Sequence, residues 1–525
     1  MSRDSRDVIV IGAGANGLAA AAWLARRGRR VVVLERREAI GGMLATEEFH
    51  PGFRANACRD DVGWISPDVL QLLQGTGPPP APAPGGLLVA GADGAAFPLP
   101  GNPAEATRAL REVSAVDAAR WEGFCGHVAR VAGFLEAAYA LRAPRVQSRA
   151  PADLFALVSL GRRLRGLGRR EMMEVLRAVP MPVADLLDEW FESSTLRGAL
   201  ATIGVRDVLH GPLSGGTALV FYHHHVGLPL GQVGGRRTVP GGNGALPEAL
   251  AAAARRAGAE IRLGQAVGEL LISEGRIAGA RLDSGDELWA RTVISSADPR
   301  RTFALVDPSW FDPALLDAVD HVRMRGATAR VHFALDGLPR FGSGQREWPA
   351  EWLRGAILLA PDLPGVERAY DAAKYGQVPE HPALTAVLPT LLDPSLAPAG
   401  CHVLSVSVHH VPYARRDGWT DGARDALGSL VQQRLEAIAP DLAARIAARR
   451  VLTPADLETR FGVTEGSLTH GELALDQILF MRPVPACARY ETPLPGLWLC
   501  GAGTHPANGA GASGALAARE LLGRR

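Results

Sequence analysis

The sequence is poor in cysteine and has no paired cysteines. The five cysteines are far apart, and none forms a CxxC pair: Cys58, Cys125, Cys401, Cys487 and Cys500. The missing pair argues against a dithiol redox enzyme or a zinc ribbon, and an odd number of separated thiols is typical of a reducing compartment. We therefore expect a cytoplasmic protein with free thiols.

The sequence also lacks long apolar runs and has no large excess of charge of one sign. No segment reaches the roughly 18 uncharged apolar residues expected of a membrane helix, and the charged N-terminus is unlike a signal peptide. The 525 residues carry a formal net charge of +1, which gives no electrostatic reason to expect nucleic acid as a partner. The length predicts about three domain-sized units.

Glycine occurs at regularly spaced positions near the N-terminus. Residues 7–36, DVIVIGAGANGLAAAAWLARRGRRVVVLER, predict a strand, a glycine turn, a helix and a second strand. In this G-x-G-x-x-G pattern Gly12 permits the tight turn, Gly14 lets the backbone approach a pyrophosphate, and Gly17 lets the helix pack on the sheet. Phosphates bind at such a helix N-terminus because free N–H groups and the helix dipole favour negative charge.

A carboxylate and a glycine pair follow this turn. Glu35 ends the second strand, where a carboxylate accepts hydrogen bonds from ribose hydroxyls. Gly41 and Gly42 come next, and two adjacent glycines let another backbone segment approach the phosphates. The dinucleotide-binding residues predicted in this segment are Gly12, Gly14, Ala15, Asn16, Gly17, Glu35, Arg36, Gly41 and Gly42. The glycine pattern alone does not separate FAD from NAD.

The C-terminal segment repeats the order of elements found at the start. Residues 497–525, LWLCGAGTHPANGAGASGALAARELLGRR, predict a strand, a glycine loop and a helix. We expect the two terminal segments to hold opposite ends of one dinucleotide. No second complete G-x-G-x-x-G unit is present, which argues against a separate NAD(P) domain.

Local patterns between the two ends add further expectations. Residues 78–94 are rich in proline, glycine and alanine and predict a surface loop, whereas residues 102–200 are mainly helical in pattern. The SEG and DSGD sequences predict hairpin turns between short strands. A long amphipathic helix is expected to begin at Thr420 or Asp421.

Several segments together resemble the phytoene desaturase-related FAD-dependent oxidoreductases of the flavin amine oxidase superfamily. Beside the two ends they are PGGNGALPEALAAAARRAGAEI, TVISSADP, LLDPSLAPAGCHVLSV and LTPADLETRFGVTEGSLTHGELALDQILFMRPVP. Within that superfamily the chain is similar to the group of the pyridine nucleotide-disulphide oxidoreductase domain-containing protein 2. The resemblance spans nearly the whole chain and implies FAD as the cofactor.

This resemblance implies an α/β fold in two parts. One part is a Rossmann-like FAD-binding domain assembled from discontinuous segments, which we expect at residues 1–77, 235–303 and 475–525. The other is an inserted α+β substrate domain. It is expected at residues 78–234, which carry a helical cap, and at residues 304–474, with a mixed sheet and helices.

The resemblance also implies further cofactor contacts. Val267 matches a position whose backbone meets adenine, and Ser296 falls where the chain re-enters the nucleotide domain. The N-terminus of the C-terminal helix is expected at the pyrimidine edge of the flavin, where amide groups would stabilise the negative charge of the reduced ring. The amides expected at that edge are those around Ala510 to Ala512, and the cofactor-binding residues predicted in the whole C-terminal segment are Gly501, Gly503, Gly509, Ala510, Gly511 and Ala512.

The C-terminal loop departs from the pattern of its relatives. Relatives read GTHPGGG, whereas Ala507 and Asn508 stand here in place of two glycines. Backbone donors remain, so we expect FAD binding to survive. The substrate face beside the flavin is expected to differ.

No residue pattern identifies a catalytic group. The candidates for lining the pocket are Asn56, Cys58, His224 and His505, and each has packing or a backbone hydrogen bond as its alternative role. A metal site is not expected, because adjacent histidines cannot all face one ion. The basic run at residues 162–170 predicts either a solvated helical face or a peripheral contact with a membrane.

The expected function is that of an FAD-dependent oxidoreductase. Flavin N5 would accept a hydride from a C–H bond of a small molecule, which leaves a hydrophobic substrate open, and oxygen or a quinone would take the electrons. Desaturation, dehydrogenation and oxidation all remain open at this point. The alternatives are a redox-neutral flavin-dependent isomerase and a non-catalytic FAD-binding protein with an assembly or regulatory role.

Overall fold

The computed structural model describes residues 6–91, 96–143, 151–343 and 346–523. Its strands in chain order are β1 (Val8–Ile11), β2 (Val31–Leu34), β3 (Thr46–His50), β4 (Phe53–Asn56), β5 (Ala81–Pro82), β6 (Leu87–Ala90), β7 (Ala96–Leu99), β8 (Arg237–Thr238), β9 (Glu260–Arg262), β10 (Val267–Ser273), β11 (Arg276–Leu282), β12 (Glu287–Trp289), β13 (Val293–Ser295), β14 (Thr328–Leu335), β15 (Gly342–Ser343), β16 (Arg346–Glu347), β17 (Ala356–Leu359), β18 (Leu384–Val387), β19 (His402–His409), β20 (Ile446–Leu452) and β21 (Leu497–Leu499). Its helices are α1 (Ala15–Arg26), α2 (Pro67–Leu73), α3 (Pro103–Leu110), α4 (Ala115–Tyr139), α5 (Pro151–Gly166), α6 (Arg169–Ala178), α7 (Val183–Trp190), α8 (Ser194–Gly204), α9 (Thr217–His223), α10 (Ala245–Arg256), α11 (Pro299–Phe303), α12 (Pro313–Asp320), α13 (Ala350–Leu353), α14 (Leu363–Lys374), α15 (Asp421–Glu436), α16 (Leu442–Arg445), α17 (Pro454–Phe461) and α18 (Ala512–Leu522).

A parallel five-stranded sheet with the order β21-β13-β1-β2-β9 forms the nucleotide-binding layer. Its central strands are short apolar runs covered on both faces, as parallel sheets require. Val8 and Val10 of β1 join the core with α1, α10 and α18, whereas Ile9 packs towards the antiparallel insert β10-β11-β12. The strands come from three separated parts of the chain, so the sheet is assembled from discontinuous segments, as predicted.

A mixed seven-stranded sheet with the order β20-β14-β19-β18-β17-β6-β7 forms the second layer. Leu87 and Val89 of β6 pack with the helices α4, α8 and α9 on one face, and Leu88 packs with α15 on the other. The Thr420 side chain caps α15 by accepting a hydrogen bond from the Ala423 amide, which confirms the predicted helix start.

The prediction of a surface loop at residues 78–94 is wrong for the central part of that segment. Leu87–Ala90 forms the fully buried strand β6, which pairs in parallel with β17 and antiparallel with β7. The glycines before it serve close packing: a Cβ on Gly86 would lie 1.9 Å from the Leu99 carbonyl oxygen. Residues 92–94 lie outside the described residues.

The observed architecture confirms the predicted α/β fold class, with a Rossmann-like layer and an inserted sheet under a helical cap. The domain boundaries given above stay a prediction. Within the described ranges no helix is both long and apolar enough to cross a membrane. The basic run lies on α5 and the start of α6, where Phe155 is 69% exposed, and contact of this surface with a membrane stays a prediction.

Candidate cofactor and substrate site

A cleft of about 380 Å³ lies at the carboxyl ends of β1, β2 and β13, where open α/β sheets bind their ligands. The predicted residues that line it are Gly12, Gly14, Ala15, Asn16, Glu35, Arg36, Gly41, Gly42, Val267, Ser296 and Gly509. The predicted residues that do not line it are Gly17, Gly501, Gly503, Ala510, Gly511 and Ala512. Lining residues that were not predicted include Arg37, Met43, Gln265, Arg301, Phe461 and His470.

Close backbone packing explains the glycines of the first turn. Gly12 has a φ of 91°, and a Cβ there would lie 2.4 Å from Ser296 Oγ, which itself donates to the Ile11 carbonyl oxygen at 2.8 Å. A Cβ on Gly17 would lie 2.0 Å from the Gly12 carbonyl oxygen. Gly17 therefore lets α1 approach the turn and contacts no ligand space, whereas Gly12 and Ser296 face each other across the cleft floor.

The glycine pair packs on the first turn itself. Gly14 and Gly41 form an isolated parallel bridge, and the Gly41 amide donates to the Ala13 carbonyl oxygen at 3.0 Å. A Cβ on Gly42 would lie 3.2 Å from Gly14 Cα. The pair thus brings a second backbone segment against the phosphate-binding turn.

Glu35 and Arg36 line the cleft while they bond to the backbone around it. Glu35 is 7% exposed; its carboxylate accepts from the amide of Ala13 at 2.7 Å and from that of Arg37 at 3.0 Å. The Arg36 guanidinium donates to the carbonyl oxygens of Thr459 and Arg460 at 3.3 and 3.1 Å. Glu35 therefore orients the turn as well as facing the site.

His470 is a buried polar group in the cleft wall. Its Nδ1 has no hydrogen-bond partner among the described residues. Burial, with help from the charges of Arg482 and Arg301, lowers the pKa of His470 to about 4, so its ring is neutral near pH 7. A Cβ on Gly501 would lie 2.5 Å from the Ser296 carbonyl oxygen and 3.1 Å from this Nδ1, so Gly501 lets the C-terminal loop pack on the backbone after β13 and beside the ring.

Asn508 organises the C-terminal loop. Its Oδ1 accepts from the Ala510 amide at 2.7 Å, and its Nδ2 donates to the Trp64 carbonyl oxygen at 2.8 Å. Asn16 of the first turn reaches across, donating from Nδ2 to the Asn508 carbonyl oxygen at 2.8 Å and accepting from the Gly514 amide at 3.2 Å. The two ends of the chain are therefore joined directly beside the cleft.

Two smaller cavities with charged and polar wall residues lie beside the cleft. Gly509 lines both the cleft and a cavity of about 20 Å³, whose wall includes Trp64, Tyr139, His223 and His224. Arg59 and Asp61 line that cavity and also a second one of about 40 Å³. The second wall includes Cys58, Arg206, Asp207 and Arg236. We call these two spaces the polar chamber.

The predicted pocket candidates separate into two groups. Cys58 and His224 line the polar chamber. Asn56 does not, because its Oδ1 accepts from Thr46 Oγ1 and from the Asn243 amide. His505 does not either; its Nε2 donates to the Leu141 carbonyl oxygen at 3.0 Å, and burial lowers its pKa to about 4.

Burial sets the protonation of the chamber side chains. It raises the pKa of the Cys58 thiol to about 12, so this cysteine stays protonated near pH 7. Burial, followed by the charges of Arg59 and Arg482, lowers the pKa of His223 to about 3, and its Nδ1 hydrogen-bonds the Tyr139 hydroxyl at 2.9 Å. His225 is held between the Phe221 carbonyl oxygen and the Gly234 amide. No group of metal-binding side chains occurs within the described ranges.

Arg482 is a structural residue that sequence reasoning missed. It is 2% exposed, and its guanidinium donates to the carbonyl oxygens of Thr469, Gly471, Glu472, Gln477 and Ala502. It thereby fixes the two loops that carry His470 and Ala502 in the cleft wall. The sequence around it has no spacing or periodicity that marks this role.

A family model described as flavin containing amine oxidoreductase matches residues 16–522. The chain belongs to this family. It is 34% identical to the pyridine nucleotide-disulfide oxidoreductase domain-containing protein 2 of Rattus norvegicus, over 98% of this chain and 93% of the relative. It is 27% identical to the zeta-carotene-forming phytoene desaturase of Myxococcus xanthus, over 97% and 92%. The solved structure of an oxidoreductase from Methanosarcina mazei shares the fold, with a TM-score of 0.61 at 16% identity over 99% of this chain and 100% of that one.

Family membership confirms the predicted resemblance, and with it FAD as the cofactor of this flavin-dependent oxidoreductase. The cleft fits FAD on its own chemistry. It offers a glycine turn at a helix N-terminus for a diphosphate and a carboxylate after β2 for a ribose. The unpartnered Nδ1 of His470 is a buried polar atom that a bound group would satisfy.

Proposed function

We propose that this flavoprotein removes hydrogen from a C–H bond of a small polar molecule, as a dehydrogenase or an oxidase. The observation that carries the proposal is the position of Gly509, which borders both the cofactor cleft and the polar chamber. When bound, FAD supplies the two-electron oxidation by accepting a hydride from the substrate. Oxygen or a quinone would then take the electrons.

The chain's own residues would hold the two reactants. The turn from Gly12 to Gly17 and the N-terminus of α1 would bind the diphosphate, and Glu35 would bind a ribose. Val267 and Ser296 would lie along the adenosine half, and Gly509 would border the ring half. Each of these assignments is supported by the position of the residue in the cleft wall.

The chamber would orient the substrate and keep water away from it. Trp64 and Tyr139 are buried in its wall, and neutral His223 and His224 offer hydrogen bonds without adding charge. Groups aimed into a space from which water is excluded act more strongly than they would in bulk water.

The second candidate is desaturation of a hydrocarbon, which the name of the Myxococcus xanthus relative favours. The chamber argues for the polar substrate, because a polyene would offer no hydrogen bond to the charged wall residues and would leave the Arg206 guanidinium buried without a partner. We therefore rank a small polar substrate first.

The test is anaerobic reduction of the bound flavin by candidate substrates. The FAD-loaded protein is mixed with small amines, hydroxy acids and amino acids in one set and with phytoene in another, and bleaching of the flavin absorbance is followed. We expect bleaching by a member of the first set. Reoxidation by air would indicate an oxidase, and reoxidation by a quinone alone would indicate a dehydrogenase.

Two substitutions at Gly509, which borders both the cofactor cleft and the polar chamber, provide a matched pair. Gly509→Leu places a side chain where a Cβ would lie 3.5 Å from Arg59 Nη1, so it should slow reduction by substrate by roughly tenfold or more while reduction by dithionite is unchanged. Gly509→Ala fits in ordinary contact and should behave as the natural protein. Flavin that dithionite reduces and no member of either set reduces would reject the enzyme proposal in favour of a binding role; conversion of substrate without net reduction would indicate an isomerase.

A further inference from the structure

The polar chamber is surrounded by more positive than negative side chains. The positive side chains in or against its wall are Arg59, Arg206, Arg236, Arg237 and Arg330, and the negative ones are Asp60, Asp61, Asp207 and Glu136. Charged groups in such a place are costly unless each is paired. Which arginines lack a carboxylate partner is therefore informative.

Each aspartate already has a partner. Asp60 contacts Arg330 at 2.5 Å, Asp207 contacts Arg59 at 3.6 Å, and Asp61 accepts from the backbone amide of Arg237 at 2.9 Å. Arg330 is fully buried and also donates to Ser407 Oγ. Asp207 and Asp60 thus pair with the guanidinium groups of Arg59 and Arg330, whereas Asp61 is held by backbone amides.

Arg206 and Arg236 form no direct hydrogen bond or ion pair with a carboxylate among the described residues, although the charges of Asp60 and Asp61 act on both of them. The Arg206 side chain lines the chamber, lies close to Asp61 and Asp207, and makes no hydrogen bond or ion pair with any described residue. Arg236 is 6% exposed; its Nη2 donates only to the Arg354 carbonyl oxygen at 3.2 Å, and its Nε is buried without a partner in the part of the chain described. Two guanidinium groups therefore face the same small space with donors that no carboxylate contacts directly.

The neighbouring histidine adds no charge to the chamber. His224 is 8% exposed, and its Nε2 has no hydrogen-bond partner within the described ranges. Burial, together with the charge of Arg206, holds the pKa of His224 well below its usual value, so its ring is neutral. It adds an unused polar atom at the chamber wall.

We propose that Arg206 and Arg236 bind a carboxylate group of the substrate. This assignment rests on the proposed function and names the class of molecule that the chamber takes. Guanidinium groups match carboxylates because their planar N–H donors pair with both oxygens. A cavity of about 40 Å³ exceeds the roughly 10–15 Å³ that one water needs, so it has room for a group of carboxylate size. The rest of the molecule would pass Arg59 towards Gly509.

Acetate and acetamide test this inference, because they have nearly the same shape and differ in charge. The FAD-loaded protein is titrated with each at constant ionic strength, and the thermal unfolding midpoint and the visible flavin spectrum are recorded. We expect acetate to raise the midpoint and perturb the spectrum, and acetamide to do neither. Equal responses to the two compounds would overturn the inference, and so would tighter binding of inorganic phosphate than of acetate.

Variants of Arg206 distinguish a role in binding acetate from a role in stabilising the fold. Arg206→Gln should lower acetate affinity by roughly tenfold or more, yet should unfold at a higher temperature than the natural protein without acetate, since an unpaired charge is removed. Arg206→Lys should keep part of the affinity. Arg197→Gln, which removes a surface partner of Asp188 outside the chamber, is the matched control and should bind acetate normally. Unchanged acetate binding by Arg206→Gln would overturn the assignment.

The carboxylate inference and the proposed function can fail separately, because different experiments test them. The acetate titration needs no turnover, whereas the proposed function is tested by reduction of the flavin. Reduction by a neutral amine without any acetate effect would retain the enzyme and reject the carboxylate. An acetate effect that depends on Arg206, in a protein that no substrate reduces, would retain the anion site and reject the catalytic role.

Discussion

Asn508 departs from the expected glycine pattern, and its side chain makes hydrogen bonds that a glycine could not make. The family resemblance implied glycine at this point of the loop, and the sequence alone predicted only a changed substrate face. In the fold, Asn508 is buried and bonds with Ala510 and Trp64, while its carbonyl oxygen accepts from Asn16. Its side chain therefore joins the C-terminal loop to the segment that follows the glycine pair.

Replacing Asn508 by alanine should weaken both the fold and FAD binding. Two buried hydrogen bonds are lost and the Trp64 carbonyl oxygen is left without that donor, so the free energy of unfolding should fall by about 1–3 kcal/mol. The dissociation constant for FAD, measured by titration of the apoprotein, should rise at the same time. Asn102→Ala is the control: it removes an exposed cap of α3 and should cost about 1 kcal/mol without changing FAD affinity. Equal FAD affinity in Asn508→Ala and the natural protein would show that the loop does not depend on this side chain.

The polar chamber marks the limit of prediction at the residue scale. Arg59, Arg206, Arg236 and Arg330 come from four distant parts of the chain, and none belongs to a spaced motif. Side chains that converge through tertiary packing leave no local periodicity in a sequence. By contrast, Gly12, Gly14 and Glu35 were predictable because one turn and one strand end place them.

At the scale of elements, the crossing of α1 and α18 holds the two ends of the chain together. A Cβ on Gly514 would lie 1.9 Å from the carbonyl oxygen of Asn16. Gly514→Ala should therefore push the helices apart and lower the free energy of unfolding by about 1–3 kcal/mol, the usual cost of overpacking. FAD affinity should fall with it, because Asn16 lines the cleft. Thermal unfolding and FAD titration measure the two effects.

The control substitution for Gly514→Ala is at Gly523, which follows the end of the same helix. A Cβ on Gly523 would meet its nearest atom, the Arg519 carbonyl oxygen, at 3.4 Å, an ordinary contact. Gly523→Ala should leave the unfolding midpoint and FAD affinity unchanged. If Gly514→Ala behaved like Gly523→Ala, the close crossing would not be a determinant of the site.

Elements with a strong local pattern were predicted well, and one without it was missed. The unit β1-α1-β2, the hairpin β10-β11 and the helix α15 each have apolar periodicity and turn or cap residues at their ends. The strand β6 is four residues long and is flanked by prolines and glycines. Its burial comes from pairing with β17, which is far away in the sequence, and no local signal predicts such a pair.

At the scale of the whole molecule, many histidines are buried in the neutral form. Burial is the largest cause in each case, and it lowers the pKa to about 3 for His223 and to about 4 for His225, His410, His470 and His505. In the unfolded chain these rings regain a pKa near 6.5. The unfolded state therefore binds more protons than the folded state between these values.

The protein should consequently lose stability on mild acidification. Because the folded pKa values are depressed, the stabilising contribution is present above pH 6.5 and is lost as the pH falls towards 4, by about 1.5 kcal/mol for each such histidine between pH 6.5 and 5. Urea unfolding of the FAD-loaded protein at the two pH values measures this loss. His410→Asn removes one titrating ring, and asparagine tolerates the φ of 58° at this position, so this variant should show a smaller loss. His321, whose side chain is 76% exposed, supplies the control, and His321→Asn should keep the full loss. A free energy of unfolding that does not change between pH 6.5 and 5 would mean that these rings are protonated in the folded protein.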